Sequence, residues 1–377
     1  MSTSKYEWPN RKLEEAYTLP SRYFYEPAIM EDEKWAIFYK SWRLVAHVSE
    51  VVQPRQFVTC EIFDQSILIV RGDDNTLRAF HNVCQHRGNK LVTDPRGQSS
   101  RSFVCSYHAW SYGTDGSLLG APRTERLENF NKADNCLKSV RVQEFAGFVF
   151  INLDEHAESM EDLFPGAAEL ILEHAPDMAN LKFESQYDLV APINWKVAMD
   201  NGIEAYHLML SGPAHKELTH MLDFKQFLPQ VHDNWWALMG PPKPGLTEVY
   251  GVEIGDSPYQ TDHFINTWLF PNTAIYCVPY VDYVATFLVI PLEAEKTLLR
   301  FGYYVPDREE TPLTVAARDW MNDQLGPEDI ELNLTTQQGL KSFGFDQGRY
   351  MIDPERSNES EYAVHHFHTK VYEALIA

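Results

Sequence analysis

No run of apolar residues in this chain approaches the roughly 18 that a bilayer-spanning helix requires. The opening residues, MSTSKYEWPN, lack the basic-then-apolar order of a secretory leader. Basic residues are scarce: 32 Lys and Arg stand against 54 Asp and Glu, a formal net charge of −22. So acidic a surface repels phosphate backbones, and nucleic acid is not an expected partner. Cysteine is scarce too. The thiols Cys60, Cys84, Cys105, Cys136 and Cys277 are odd in number, which argues for reduced thiols rather than a disulfide framework. Repeats and low-complexity tracts are absent. The expectation is a globular cytoplasmic protein with neither membrane nor nucleic-acid partner. At about 150 residues per domain, 377 residues give two or three domains.

The texture of the chain divides it further. Residues 45–155 carry short β-rich runs between turns, at 66–71 (SILIVR), 77–83, 103–112 and 147–153, and predict a small all-β domain. Residues 31–42 in the preceding segment predict an amphipathic helix. Residues 159–174 predict another. Residues 156–377 form an α+β region, with strands at 264–271, 284–291 and 300–305 and helices from 314 onward. Gly326-Pro327 predicts a break between two of those helices.

Two Cys-His pairs lie in the β-rich region. Cys84-x-His86 is followed, after eighteen residues, by Cys105-x-x-His108. Two thiolates and two imidazoles can hold a tetrahedral zinc. They can also hold a [2Fe–2S] cluster, with both cysteines on one iron and both histidines on the other. A C-x-H step is tight for zinc, whereas each pair suits one loop giving one ligand to each iron. Neutral imidazole in place of thiolate raises the potential of such a cluster. Residues 81–123 hold five Lys and Arg and two Asp, a local excess of three positive charges. This face suits an acidic electron donor, or is ordinary surface charge.

The second constellation begins at residues 194–207 (NWKVAMDNGIEAYH). Read as one helix ended by Gly212-Pro213, it puts Asp200, Glu204 and His207 on one face. His215 follows, and Asp329 opens a later helix. Two His and one carboxylate make the facial triad of non-haem Fe(II) oxygenases, with open positions for oxygen and substrate. Taken singly, each residue has a structural reading: Asp329 as a partner of its helix dipole, and His220 or His232 as alternatives to His215.

In this order, the two constellations resemble the oxygenase (alpha) component of Rieske non-haem iron oxygenases. The runs that carry the resemblance are NVCQHRGNKL at 82–91, CSYHAWSYGTDGSL at 105–118, NWKVAMDN with EAYH at 194–207, and the late run from Pro327-Glu328-Asp329 to Gly348-Arg349. They look most like the branch of carnitine, glycine betaine and stachydrine oxygenases. The resemblance implies an α+β protein: an N-terminal segment (1–44) packed on the catalytic domain, a Rieske β-domain (45–155) and a helix-grip catalytic domain (156–377). It implies that Cys84, His86, Cys105 and His108 bind the cluster, and that His207, His215 and Asp329 bind the mononuclear iron. Glu204 then links the two centres, with Asn201 beside it among the catalytic residues. It further implies a homotrimer in which electrons pass between subunits through His108, Glu204 and His207, fed from NAD(P)H by a flavin/[2Fe–2S] reductase or a ferredoxin. One departure is visible. Seven residues separate His207 from His215, more than the family usually has, and His220 is the fallback.

O2 and two electrons would then hydroxylate a small organic substrate. Hydroxylation beside a nitrogen releases the fragment as an aldehyde. Trp235, Trp236, Phe264, Trp268, Phe270, Tyr276, Tyr280, Tyr283 and Phe287 are expected around the pocket. Aromatic faces suit a quaternary ammonium or related amine by cation–π attraction. They also suit an aromatic acid or ether, hydroxylated or demethylated, as in aromatic hydrocarbon catabolism. The rival outside this class is a Rieske electron carrier or a structural zinc protein, which leaves the second half of the chain unexplained.

Overall fold

The computed structural model describes residues 5–8, 11–175, 178–256 and 260–377. The chain divides into two compact units: residues 38–162, and residues 1–37 together with 163–377. The division falls at 37/38, seven residues before the expected 44/45: residues 38–42 cluster with the β unit, whereas residues 1–37 cluster with the second unit. The helix expected at 31–42 also starts earlier. It runs as α1 (Pro27–Glu33) with Pro27 in its first turn, then loosens into a π-turn at Lys34–Phe38.

The β unit is built from β1 (Arg43–His47), β2 (Gln56–Ile62), β3 (Gln65–Arg71), β4 (Leu77–His81), β5 (Arg96–Gln98), β6 (Phe103–Val104), β7 (Ser111–Tyr112), β8 (Leu118–Gly120), β9 (Ser139–Phe145) and β10 (Phe148–Asn152). Seven strands form one antiparallel sheet in the order β1-β10-β9-β4-β3-β2-β5, and β6-β7-β8 form a smaller one. β3 shows why its run is continuously apolar. Ile67 and Ile69 face a cluster with Val140, Val149 and Ile151. Leu68 and Val70, pointing the other way, join Phe57, Phe103, Tyr112, Cys84 and Cys105. The second cluster is the floor under both Cys-His loops. The strand expected over 103–112 is two short strands instead. The CSYHAW run leaves the sheet between β6 and β7 as a tight loop, since Cys105 and Trp110 close on each other.

The helix expected over 159–174 is split into α2 (Met160–Leu163), which ends the β unit, and α3 (Ala167–His174), which belongs to the second unit. Pro165 has no N–H to give, and Gly166 takes the left-handed φ of 84° that starts α3. β11 (Leu181–Ala191), α4 (Trp195–Gly202), α5 (Pro213–Met221), β12 (Leu228–Val231), β13 (Trp235–Gly240), β14 (Glu248–Val249), β15 (Val252–Glu253), β16 (Phe264–Leu269), β17 (Thr273–Cys277), β18 (Val284–Glu293) and β19 (Lys296–Pro306) follow, then α6 (Pro312–Trp320), α7 (Gly326–Leu340) and α8 (Tyr362–Ile376). The main sheet is antiparallel, β11-β19-β18-β17-β16-β13-β12. This mixed helix and antiparallel sheet is an α+β architecture.

Gly326-Pro327 does not break the chain into separate helices. A π-turn at Met321–Leu325 carries α6 into α7, with Gly326 N–H bonded to Met321 O. The wider turn absorbs the bond that Pro327 cannot make.

A buried ion pair ties the N-terminal segment to α4. Lys196 Nζ lies 2.6 Å from Glu33 Oε1, and both side chains are fully buried. Trp195 Nε1 donates to the other carboxylate oxygen at 2.7 Å. Burial drives the Lys196 pKa down, against the pull of Glu33. Lys196→Met strands the Glu33 charge and is expected to cost about 3–5 kcal/mol. Lys196→Met with Glu33→Gln should regain part of that loss, measured by denaturant and thermal unfolding of the full chain.

Candidate metal centres and substrate cavity

The two Cys-His loops have the same backbone. Cys84 N–H donates to Asn89 O (2.9 Å) and Cys105 N–H to Trp110 O (2.8 Å). Gly88 N–H returns to Cys84 O and Ala109 N–H to Cys105 O, each at 3.0 Å. The fourth residue after each cysteine is left-handed, Gly88 at φ 72° and Ala109 at φ 55°. Both thiols are buried and both imidazoles exposed. His86 Nδ1 and His108 Nδ1 stand 3.1 Å apart. Trp110 stacks on His86 at 4.9 Å, and Tyr107 on His108 at 3.8 Å. Burial opposes the Cys105 thiolate, yet the N–H groups of Tyr107 and His108, with Cys84 and Asn89, hold its pKa below the ordinary value. The Tyr112 hydroxyl sits 3.4 Å from Cys84 Sγ. Two buried sulfurs with donors around them, and two nitrogens facing one point, fit a [2Fe–2S] cluster.

The second site differs from the expected single helix. α4 ends at Gly202, because Trp268 Nε1 caps the Gly202 carbonyl at 2.9 Å and a Cβ there would meet the indole at 2.5 Å. Glu204 and His207 therefore lie in the turn after the helix. Asp200 stays on α4 and binds His368 Nε2 at 2.8 Å instead, with Tyr350 on the other ring nitrogen. Gly212-Pro213 does not stop a helix but starts one: Gly212 is the N-cap of α5, which carries His215.

His207, His215 and Asp329 converge, with donor atoms all within 4.8 Å of one another. Asp329 Oδ1 lies 2.9 Å from His215 Nε2 and 3.6 Å from His207 Nε2. His220 is exposed on α5 and His232 stacks on Trp235 at 3.7 Å; neither joins the group. Asn201 Nδ2 lies 3.4 Å from His207 Nε2.

Each imidazole is gripped from behind by a glutamate. Glu204 takes His207 Nδ1 and also the backbone N–H of Tyr206 and His207. Glu328 takes His215 Nδ1 at 2.7 Å and the N–H of Ala214 and His215 at 3.0 and 3.2 Å. Both rings thus present Nε2 to the common point. Burial alone would raise the Asp329 carboxyl and lower the imidazoles. Their mutual contacts, with the glutamates, instead pull Asp329 down to about 2 and push His207 up to about 10. A field that holds cationic charge so firmly suits a divalent metal, and the donor set fits ferrous iron. Sequence reasoning gave Glu328 no role. Its only signal was adjacency to Asp329.

A cavity of about 640 Å³ opens on the triad. Of the expected aromatic residues, Phe264, Trp268, Tyr276 and Phe287 line it. Trp235, Trp236, Phe270, Tyr280 and Tyr283 do not; Trp236 and Phe270 pack instead on Phe367 of α8. Tyr187, Phe227, Phe301 and Tyr303 line it unforeseen. The π-turn contributes Met321, Asn322 and Leu325.

A β-domain with two Cys-His loops and an α+β unit with a two-His, one-carboxylate triad define an electron-fed, oxygen-activating iron protein. Comparison with known proteins agrees. Residues 41–131 match the Rieske [2Fe-2S] domain, and residues 178–376 the ring hydroxylating alpha subunit catalytic domain. The oxygenase subunit of Escherichia coli (strain K12) carnitine monooxygenase is 36% identical over 356 residues, 94% of this chain and 93% of that one. The chloroplastic choline monooxygenase of Beta vulgaris is 29% identical, over 97% of this chain and 79% of its own length. A crystal structure of the quaternary ammonium Rieske monooxygenase CntA with L-carnitine superimposes with a TM-score of 0.83 at 34% identity, covering 97% of both chains. The chain belongs to the Rieske non-haem iron oxygenases, as an oxygenase component. Its cofactors are a [2Fe–2S] Rieske cluster and a mononuclear iron, with O2 as co-substrate. Among the described residues, no helix is long and apolar enough to cross a membrane.

Removing the support behind His215 tests the geometry. Glu328→Ala is expected to weaken iron retention about 10- to 100-fold, read as metal content after dialysis against a chelator. Glu328→Gln should fall between it and the native protein.

Proposed function

We propose that this chain mono-oxygenates a small cationic amine, with a quaternary ammonium as its preferred substrate class. The observation that carries this is the charge of the cavity. Apart from tyrosines, its ionisable lining groups are the triad, Glu204 and the acidic Glu331, while Lys and Arg are absent among the described lining residues. The rest of the wall is largely aromatic and aliphatic. Aromatic faces and carboxylates attract an alkylammonium. An aromatic acid would bury its carboxylate there without a cationic partner, a costly arrangement. Asn266 Oδ1, in the same wall, is buried without a hydrogen-bond partner among the described residues, while its Nδ2 faces Gly202 O at 3.4 Å. A free acceptor oxygen favours a cation or a hydroxyl over an anion. The relatives named for carnitine and choline oxidation support the same reading.

In this reading Cys84, His86, Cys105 and His108 hold the cluster, and His207, His215 and Asp329 hold the iron. When bound, the two groups supply the electrons and the place where O2 is reduced. The chain does the rest. Glu204 keeps a proton on His207 Nδ1 and Glu328 keeps one on His215 Nδ1, so both Nε2 lone pairs point inward. The amide of Asn201, beside His207 Nε2, offers a donor at the edge of the reaction space. The aromatic wall excludes water and seats the substrate. Overall, a C–H bond, O2, two electrons and two protons give a C–OH bond and water. A hydroxyl placed beside the nitrogen then collapses to an amine and a carbonyl compound. Electrons come from NAD(P)H through a reductase, directly or by way of a ferredoxin. In a homotrimer they pass from His108 of one subunit to Glu204 and His207 of the next. A solved structure of a quaternary ammonium Rieske monooxygenase, described as giving insight into inter-subunit electron transfer, supports passage between subunits.

The test is single turnover of the dithionite-reduced protein, after iron, sulfide and EPR analysis has verified one cluster and one mononuclear iron per chain. Product is expected chiefly from choline-type ammonium compounds, less from betaine-type ones, whose carboxylate meets the same cost in a cavity without Lys or Arg, and little from benzoate or anisate, which lack the cationic group as well. Turnover of aromatic acids alone, or none with both centres full, overturns the proposal. Phe301→Leu, which removes a ring stacked on Phe287 at 4.4 Å, should raise KM for the cationic substrate about 2- to 30-fold with a smaller change in kcat.

A further inference from the structure

A second group of metal-binding side chains lies outside the site just described. His174 is the last residue of α3, and Asp262 and His263 directly precede β16. His174 Nδ1 and His263 Nδ1 each stand 3.0 Å from Asp262 Oδ1. The donor atoms of the three residues all lie within 4.8 Å of one another. The two rings sit 4.7 Å apart, inclined at 54°.

These contacts are not a saturated hydrogen-bond network. His174 meets the carboxylate in hydrogen-bonding geometry. His263 Nδ1 does not: it is buried and has no hydrogen-bond partner among the described residues. A buried ring nitrogen without a partner costs free energy unless something else engages it. Both imidazoles are largely sheltered, while Asp262 is 70% exposed. The donors are thus positioned by the fold, and one side stays open to solvent. An ion can enter there, and water can complete its coordination.

We propose that His174, Asp262 and His263 form a second divalent-cation site of the zinc type, separate from the iron triad. Two imidazoles and one carboxylate are donors that zinc accepts readily in a tetrahedral set closed by water. The strongly acidic chain draws cations to its surface. The site would join the end of α3 to the entry of β16. The residue after His263 is Phe264, which lines the substrate cavity. A bound ion would therefore fix the position of one cavity wall.

The experiment compares the iron-loaded full chain with a His174→Gln/His263→Gln variant after dialysis against micromolar free zinc. Native protein is expected to retain about one more zinc per chain than the variant. Iron, sulfide and the EPR spectrum should be equal in the two. Any exchange of zinc into the iron triad occurs in both proteins and cancels. Diffraction at the zinc absorption edge should place an anomalous peak between the three donors of native crystals. Equal zinc in the two proteins, or anomalous density only elsewhere, overturns the proposal. Asp262→Asn alters an exposed side chain and keeps the test open if the double variant fails to fold. It should weaken zinc retention about tenfold or more.

Discussion

Two glutamates carry the geometry on which the catalytic half depends. Glu204 and Glu328 each bind the Nδ1 of a histidine and, with the same carboxylate, the backbone N–H groups leading into it. Ring tautomer and loop position are fixed by one side chain in each case. The arrangement requires three chain ends at one point: the exit of α4, the start of α5 and the start of α7. Gly212 shows how close they come. A Cβ there would lie 2.3 Å from the Glu328 carboxyl carbon, so any other residue would push that carboxylate off its place behind His215.

The packing around α4 serves that convergence. Its N-cap Asn194 is held by Gln337 from α7 and by the Ala294 carbonyl. Lys196 and Trp195 anchor it to Glu33 of α1. Its far end is closed by Trp268 on the Gly202 carbonyl. A helix of eight residues has little stability of its own, so these tertiary ties set where it ends and where Glu204 begins. Asp200, one turn before Glu204, is engaged by His368 and so kept away from the triad. The β unit solves its problem more locally. Two loops of the same backbone shape rest on one apolar floor, with the sulfurs inside and the imidazoles outside. That division places thiolate charge among backbone donors and leaves the histidine edge open to a partner.

The cavity follows from the same packing. A π-turn at Met321–Leu325 absorbs the missing N–H of Pro327 and turns Asn322 and Leu325 toward the substrate space. The aromatic residues split according to which layer each strand face meets. Phe264, Trp268 and Phe287 face the cavity, whereas Trp236 and Phe270 are consumed by α8. A count of aromatic residues in a strand run does not separate these fates.

The sequence by itself determined the class of protein. The Cys-His pairs are legible because both side chains of each pair come from one loop, where spacing in the chain is spacing in space. The β-rich and α+β textures were legible because alternation and apolar runs are local properties. The triad was only half legible. His215 and Asp329 are 114 residues apart in the chain and 2.9 Å apart in the fold. The family resemblance put His215 ahead of His220 without any spacing rule to decide between them, and the convergence of α5 with α7 is what brings His215 to Asp329. Tertiary structure also ended α4 at Gly202, against the helical spacing that joined Asp200, Glu204 and His207. It gave Glu328 a role and brought His174 to His263. Each of these was decided by side chains distant in sequence, whose packing outweighs the weak intrinsic preferences of short helices and turns.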